Sequence, residues 1–150
     1  MTNELDEKDW KILEVLKEHA DYTTRQIAKK TLLPVTTVHN RIRKLKSEKV
    51  IKKYTVELDN KKIGKSLVAY VLISANISLL KQKKMSQYDL LEQIRKFGFV
   101  ERIDIVSGGS DLVAILRVKD VEELDRVLLG KLQNLEGIDK TQSLIVLHEQ

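Results

Sequence analysis

Cysteine is absent from the 150 residues, and proline occurs once, at position 34. With no thiol there is no disulfide, no cysteine nucleophile and no Cys-based zinc or iron–sulfur site. Aromatic residues make up only 5% of the chain, which leaves few platforms for stacking single-stranded bases. The longest uncharged run, Ser66 to Leu80, falls short of the roughly 20 residues of a membrane span and contains Ser and Asn. The acidic start from Met1 to Asp9 is unlike a signal peptide, so a cytoplasmic protein without membrane contact is expected. His19, His39 and His148 fall in separate elements without ligand spacing, and no metal is expected. No P-loop, Rossmann fingerprint, nucleophile elbow or carboxylate pair can be found, so neither a cofactor nor a catalytic residue is assigned.

What the chain does have is charge, unevenly placed. With 42% hydrophobic and 33% charged residues it reads as globular, and its formal net charge is +5. Met1 to Lys65 carries 16 Lys and Arg against 10 Asp and Glu, whereas Ser66 to Gln150 carries 11 against 12. Within Arg25 to Lys53 ten basic residues face Glu48 alone, a net of +9 suited to phosphate. At the centre of that stretch lies Pro34 to Ser47. At helical spacing Val38, Ile42 and Leu45 form one stripe; Thr36, Asn40, Arg43 and Lys44 point away, with Thr37 and His39 on the flanks. Arg and Lys pair with guanine or phosphate, Asn can bond adenine bidentately, and Thr offers a hydroxyl or a methyl. Basic amphipathic helices also cover membranes, RNA and proteins, so the stretch alone favours DNA only modestly.

Read in order, the chain opens on a helix with Asp6 as N-cap, Asp9 in its first turn, and a stripe of Ile12, Leu13 and Leu16 beside which Trp10 is expected in the core. Thr23 and Gln26 have capping-box spacing for a short second helix to about Lys30. Two short helices, a tight turn and a basic second helix make a helix-turn-helix, and Val50 to Leu58 alternates like a strand, the wing of a winged version. The polar stretch ending in Gly64 is the expected domain joint, which divides the chain into a DNA-binding domain at 1–60, a linker at 61–65 and a second domain at 66–150.

The second part reads as strand Leu67–Ile77, helix Tyr88–Phe97, strand Phe99–Val106, strand Leu112–Val118, helix Val121–Leu132 and strand Thr141–Leu147. That βαββαβ order is ferredoxin-like, and the fold class is α+β. Ser78 to Ser86, with three lysines, reads as a mobile loop. The first strand is apolar on both sides, with Leu67, Ala69, Val71 and Ile73 on one and Val68, Tyr70 and Leu72 on the other. Two helices cover one sheet face, so the other needs a cover: a second copy of the sheet, giving a two-fold homodimer suited to paired half-sites, is favoured over the amino-terminal domain folded back on it.

Leu5-Asp6 with Asp9, Ile12 and Leu13, then Gln26-Ile27-Ala28, Thr37-Val38 with Arg41-Ile42 and Leu45, Val50-Ile51, Gly64, and Gly108 with Asp111, in this order and spacing, resemble the leucine-responsive regulatory protein and asparagine-synthase regulator family, Lrp/AsnC, also called feast/famine regulators. The resemblance covers nearly the whole chain. It implies a winged helix-turn-helix on double-stranded DNA and a ferredoxin-like, RAM-type domain that binds an effector, commonly an amino acid or related metabolite, and assembles dimers, tetramers or octamers. It also implies transcription regulation without enzymatic activity. The expected DNA contacts are Arg25, Thr36, Thr37, His39, Asn40, Arg43, Lys44 and Lys46, with Thr36, Asn40 and Arg43 nearest base edges; for Arg41 a structural ion pair weighs as much as a base contact. The effector contacts implied are Gly108, Gly109, Ser110 and Asp111, a loop that also reads as an ordinary hairpin turn.

Three departures from the family pattern stand out. Leu32 and Lys49 occupy positions where Gly is usual, and a left-handed backbone costs a non-Gly residue about 1 kcal/mol or more, so the turns are either remodelled or strained. The loop reads Gly108-Gly109-Ser110-Asp111 where the family often has Gly-Asp-x-Asp, which puts the usual amino-acid effector in question. A siroheme-type tetrapyrrole decarboxylase on the same two-domain plan is the alternative function; such an enzyme has no use for a net +9 stretch.

Overall fold

A computed structural model of the chain describes residues 4–149, which divide into two compact units meeting at Glu57 and Leu58. The first holds three helices, α1 (Glu7–Glu18), α2 (Thr24–Thr31) and α3 (Val35–Ser47). The second orders its elements β1 (Leu67–Ala75), α4 (Ile77–Gln82), α5 (Gln87–Arg95), β2 (Val100–Ile105), β3 (Leu112–Val118), α6 (Val121–Val127) and β4 (Ile138–Ile145). No helix among the described residues is long and apolar enough to cross a membrane.

The first unit starts where a reciprocal cap starts it. Asp6 Oδ1 accepts the Asp9 amide at 3.0 Å, and Asp9 Oδ2 accepts the Asp6 amide at 3.2 Å. Ile12 and Leu16 then pack on Ile27, Ala28, Val38 and Leu45, with Leu13, Leu33, Ile42 and Ile51 around them. Trp10, expected in this core, is instead 56% exposed. It lies two residues from Ile12, about 200° round the helix, and so faces away from the buried stripe.

One other expectation is corrected here, and one open alternative is resolved. Val50 to Leu58 is not a strand: it forms no ladder, and the backbone hydrogen bond that ties it to the helices is the Ile51 amide on the Leu45 carbonyl at 3.0 Å. Its alternation is that of a strand, but among the described residues of this unit the regular elements are helices, so the unit offers it no strand to pair with. The turns are strained and not remodelled, since Leu32 has φ 57° and Lys49 φ 58°, each at about 1–2 kcal/mol. The stretch after Glu57 is a turn built on Asp59, whose carbonyl accepts the amides of Lys62 and Ile63.

In the second unit the sheet order is β2-β3-β1-β4, all antiparallel, the ferredoxin-like arrangement. Its core joins Ala69, Val71 and Ile73 of β1 and Leu112, Ala114, Leu116 and Val118 of β3 to Leu90 and Ile94 of α5 and Leu124 and Val127 of α6. The opposite face is apolar at its centre, between Arg102 and Asp104 of β2 and Gln142 of β4. Tyr70, 42% exposed, sits between Ile115 of β3 and Leu144 of β4, itself 47% exposed. At the rim, Arg117 of β3 pairs with Glu101 and Glu149, which hold its guanidinium above its ordinary pKa, Glu149 foremost.

The first half of the expected mobile loop is helix α4, which ends at Gln82, and a turn at Lys83 and Lys84 follows. Strand β1 stops at Ala75 because Asn76 caps α4, accepting the Leu79 amide at 3.0 Å and donating its own amide to the Gly137 carbonyl at 2.8 Å. Leu80 of α4 is buried, and a Cβ at Gly137, whose φ is +99°, would lie 2.5 Å from Leu80 Cδ2. Helix α6 ends in a π-turn, Leu128–Leu132, which delivers Leu132 to the core.

Candidate nucleic-acid interface

Helix α2 is fixed at its start by the expected box: the Thr23 amide donates to Gln26 Oε1 at 2.8 Å and the Gln26 amide to Thr23 Oγ1 at 3.3 Å. Its carboxy end turns through Leu32, and Pro34 opens α3. Proline fixes the entry dihedral but offers no side-chain acceptor, so α3 begins without the cap that α1, α2 and α5 each have. The positive end of the helix dipole is thereby left open to an outside acceptor.

Val38 and Leu45 bury one face of α3 completely. The other face and the start of α2 enclose an open cleft of about 490 Å³, lined by Thr23, Thr24, Arg25, Val35, Thr36, His39 and Asn40. Four of the expected contacts, Arg25, Thr36, His39 and Asn40, therefore meet at one place. Arg43 is exposed one turn further along the same stripe. Thr37 and Lys44 are half-buried on the flank. Lys46 stands apart, its ammonium 4.8 Å from the centre of the Tyr54 ring.

Arg41 is committed inward. Its Nη1 lies 2.6 Å from Asp6 Oδ2 and donates to Asp9 Oδ1 and Oδ2, each at 3.2 Å. Asp9 is fully buried, so this contact fastens the back of α3 to the start of α1. Asp6 is held below its ordinary carboxylate pKa, first by the Asp9 amide and also by Arg41; the Arg41 guanidinium is raised, first by its bond to Asp6. Of the two readings open for Arg41, the geometry is that of the structural ion pair.

Val35 was not singled out by sequence reasoning. The available signal was its place, an apolar residue directly after the helix-opening proline, where the Val38–Ile42–Leu45 stripe borders the polar one.

In the second unit Gly108 to Ser110 form the β2–β3 turn, with Gly108 at φ +133° and nothing within 4 Å of where a Cβ at Gly108 or Gly109 would stand. Asp111 is less free than the loop it closes. Its Oδ2 accepts the Ala75 amide at 2.8 Å and its Oδ1 accepts Gln87 Nε2 at 3.0 Å, while its own amide donates to Ile73. The carboxylate thus braces the end of β1 and the first turn of α5.

Residues 5–52 match the winged helix-turn-helix DNA-binding family, and residues 72–150 match the Lrp/AsnC ligand binding domain. The HTH-type transcriptional regulator FL11 of Pyrococcus horikoshii is 32% identical over 143 residues, 95% of this chain and 89% of the relative. LrpA of the same organism is 28% identical over 145 residues, 97% of this chain and 98% of the relative. Among solved structures, that of Escherichia coli AsnC has a TM-score of 0.83 at 22% identity, covering 97% of this chain and 94% of that one. A Neisseria meningitidis transcriptional regulator in complex with L-Met has a TM-score of 0.86 at 22% identity, covering 97% and 92%. The ligand-domain match alone spans more than half of the sequence, and the helix-turn-helix match falls on the unit that carries the basic cleft: the chain belongs to the Lrp/AsnC family of transcriptional regulators.

Proposed function

We propose that this regulator binds duplex DNA sequence-selectively by seating α3 in the major groove, that it does so as a dimer joined through its sheets, and that a small metabolite acting at the second unit modulates it. The observation that carries the DNA reading is the cleft, where Arg25, Thr36, His39 and Asn40 converge beside an uncapped helix start in a net +9 stretch. Thr36, Asn40 and Arg43 face base edges; Arg25, Thr37, His39, Lys44 and Lys46 lie nearer phosphates. The open face around Tyr70, Ile115 and Leu144 supports the dimer, because a second copy can bury it symmetrically. Tetramers or octamers would build on that dimer.

The effector reading rests on the family match at residues 72–150 and on the exposed turn at Gly108 and Gly109, whose backbone amides suit a carboxylate. The Neisseria regulator binds L-Met; an amino acid or related metabolite is the ligand class proposed here. The relatives named above carry regulator names, and the decarboxylase alternative finds no support among them.

Selection of genomic fragments by the purified protein tests the reading, followed by titration at several salt concentrations. A recurrent motif and a steep fall of affinity with salt are expected. Arg43→Ala should relax base preference at a cost of about 1–3 kcal/mol, and Lys44→Ala should weaken all sequences alike. Selection that recovers no motif would overturn the proposal.

A further inference from the structure

On the stripe of α3 that lines the cleft, one side chain is apolar. Val35 is the first residue of the helix and is 44% exposed, beside Thr36, His39 and Asn40. The fold uses it only in part: Val35 stands at helical spacing from Val38 and Ile42, at the edge of the packed stripe, yet stays open on its cleft side. Val38 and Leu45 supply the buried face, and Val35 is absent from the cluster they form. Keeping an isopropyl group in water is unfavourable, and a polar or charged residue would have suited an open, basic cleft better.

Residues at the amino end of a recognition helix reach base edges, and the apolar feature that a base pair shows in the major groove is the C5 methyl of thymine. Because Pro34 sets the entry dihedral and caps nothing, the first turn of α3 is presented at the helix tip without a covering side chain. We propose that Val35 is a specificity-determining residue that packs on a thymine methyl, so that each operator half-site carries a thymine where the first turn of α3 enters the groove. This rests on the DNA reading above and adds to it a named base. Arg25 and the surrounding positive charge argue for a nucleic acid over an apolar protein partner at this spot.

The test uses the full chain and the operator recovered by selection. Thymines are replaced one at a time by deoxyuridine, which differs only in lacking the C5 methyl. At one position per half-site the parent should lose about fourfold in affinity, the worth of one buried methyl, about 0.8 kcal/mol. V35A should bind the thymine operator about as weakly as the parent binds the deoxyuridine one, should be indifferent to the replacement, and should keep the parent's salt slope. Its exposed position lets it fold, which circular dichroism would verify. A parent indifferent to every replacement, or a V35A protein as sensitive as the parent, overturns this inference alone. A parent that selects no sequence overturns the DNA reading, and this inference with it.

Discussion

Removing the Asp9 carboxylate should loosen the first unit far more than its size suggests. Asp9→Ala deletes the return half of the α1 capping box, worth about 0.5–2 kcal/mol. It also deletes both hydrogen bonds to the Arg41 guanidinium, and bonds to charged groups are worth about 1.5–3 kcal/mol. Arg41 keeps Asp6 at 2.6 Å and its side chain is 28% exposed, so the full penalty of a stranded buried charge is not incurred. A loss of about 2–4 kcal/mol follows, which for a unit this small lowers its melting point by roughly 10–25 °C. Trp10 is the sole tryptophan and sits on α1, so its fluorescence reports this unit specifically. Glu7→Ala is the control, since it breaks only the exposed pair with Lys11 and should shift the transition far less. If Asp9→Ala moved the midpoint no further than Glu7→Ala, the clamp would be without energetic weight. If Arg41→Ala changed base preference, the assignment of Arg41 to the fold would be wrong.

Replacing Leu32 or Lys49 by Gly should stabilise the same unit by about 1 kcal/mol each, read as a rise in the Trp10 transition, because both sit in the left-handed region. Tyr70→Asp should convert the proposed dimer to monomer in light scattering, since it would place an unpaired carboxylate on the face to be buried. The carboxyls of Asp6, Asp89 and Glu149 all titrate below their ordinary values in the fold, so the stability they confer is complete above the unfolded pKa near 4 and is lost as pH falls through the folded values. Acid melts should therefore be flat from pH 7 to about 5 and fall below 4. Asp111→Ala, which leaves the Ala75 amide and Gln87 without their acceptor, should destabilise the second unit more than Asp111→Asn, where Gln87 can turn its carbonyl to the new amide.

Much of the fold was legible where local chemistry is self-contained. The boxes at Asp6–Asp9 and Thr23–Gln26 close within four residues, so spacing alone located two helix starts. Strand β3 was read at its true ends because it is apolar but for Arg117 and bounded by the Gly108–Gly109 turn and by Asp120, the α6 cap. Legibility failed where the outcome depends on something distant. Whether Val50 to Leu58 becomes a ladder depends on a partner strand that no periodicity can supply. Helix α4 was hidden because Lys81 and the lysines just after it resemble a solvated loop, while the contact that orders it, Leu80 on Gly137, joins positions far apart in sequence. The cleft was legible as a list of polar residues on one helix face. Val35 escaped because an apolar residue at a helix start resembles packing, and only its exposure separates the two.

The contact between Leu80 and Gly137 also limits how this chain can change. The α4 segment and the bend before β4 meet at a point with no room for one more carbon, so neither can vary by itself. A side chain at 137 would force the Leu80 side chain to shift and would strain the backbone at φ +99°, and trimming α4 would leave an unfilled hollow beside Leu90. Sequences related to this one should therefore carry the two features together or lack both, and a chimera that borrows either segment from a relative without the other should express poorly.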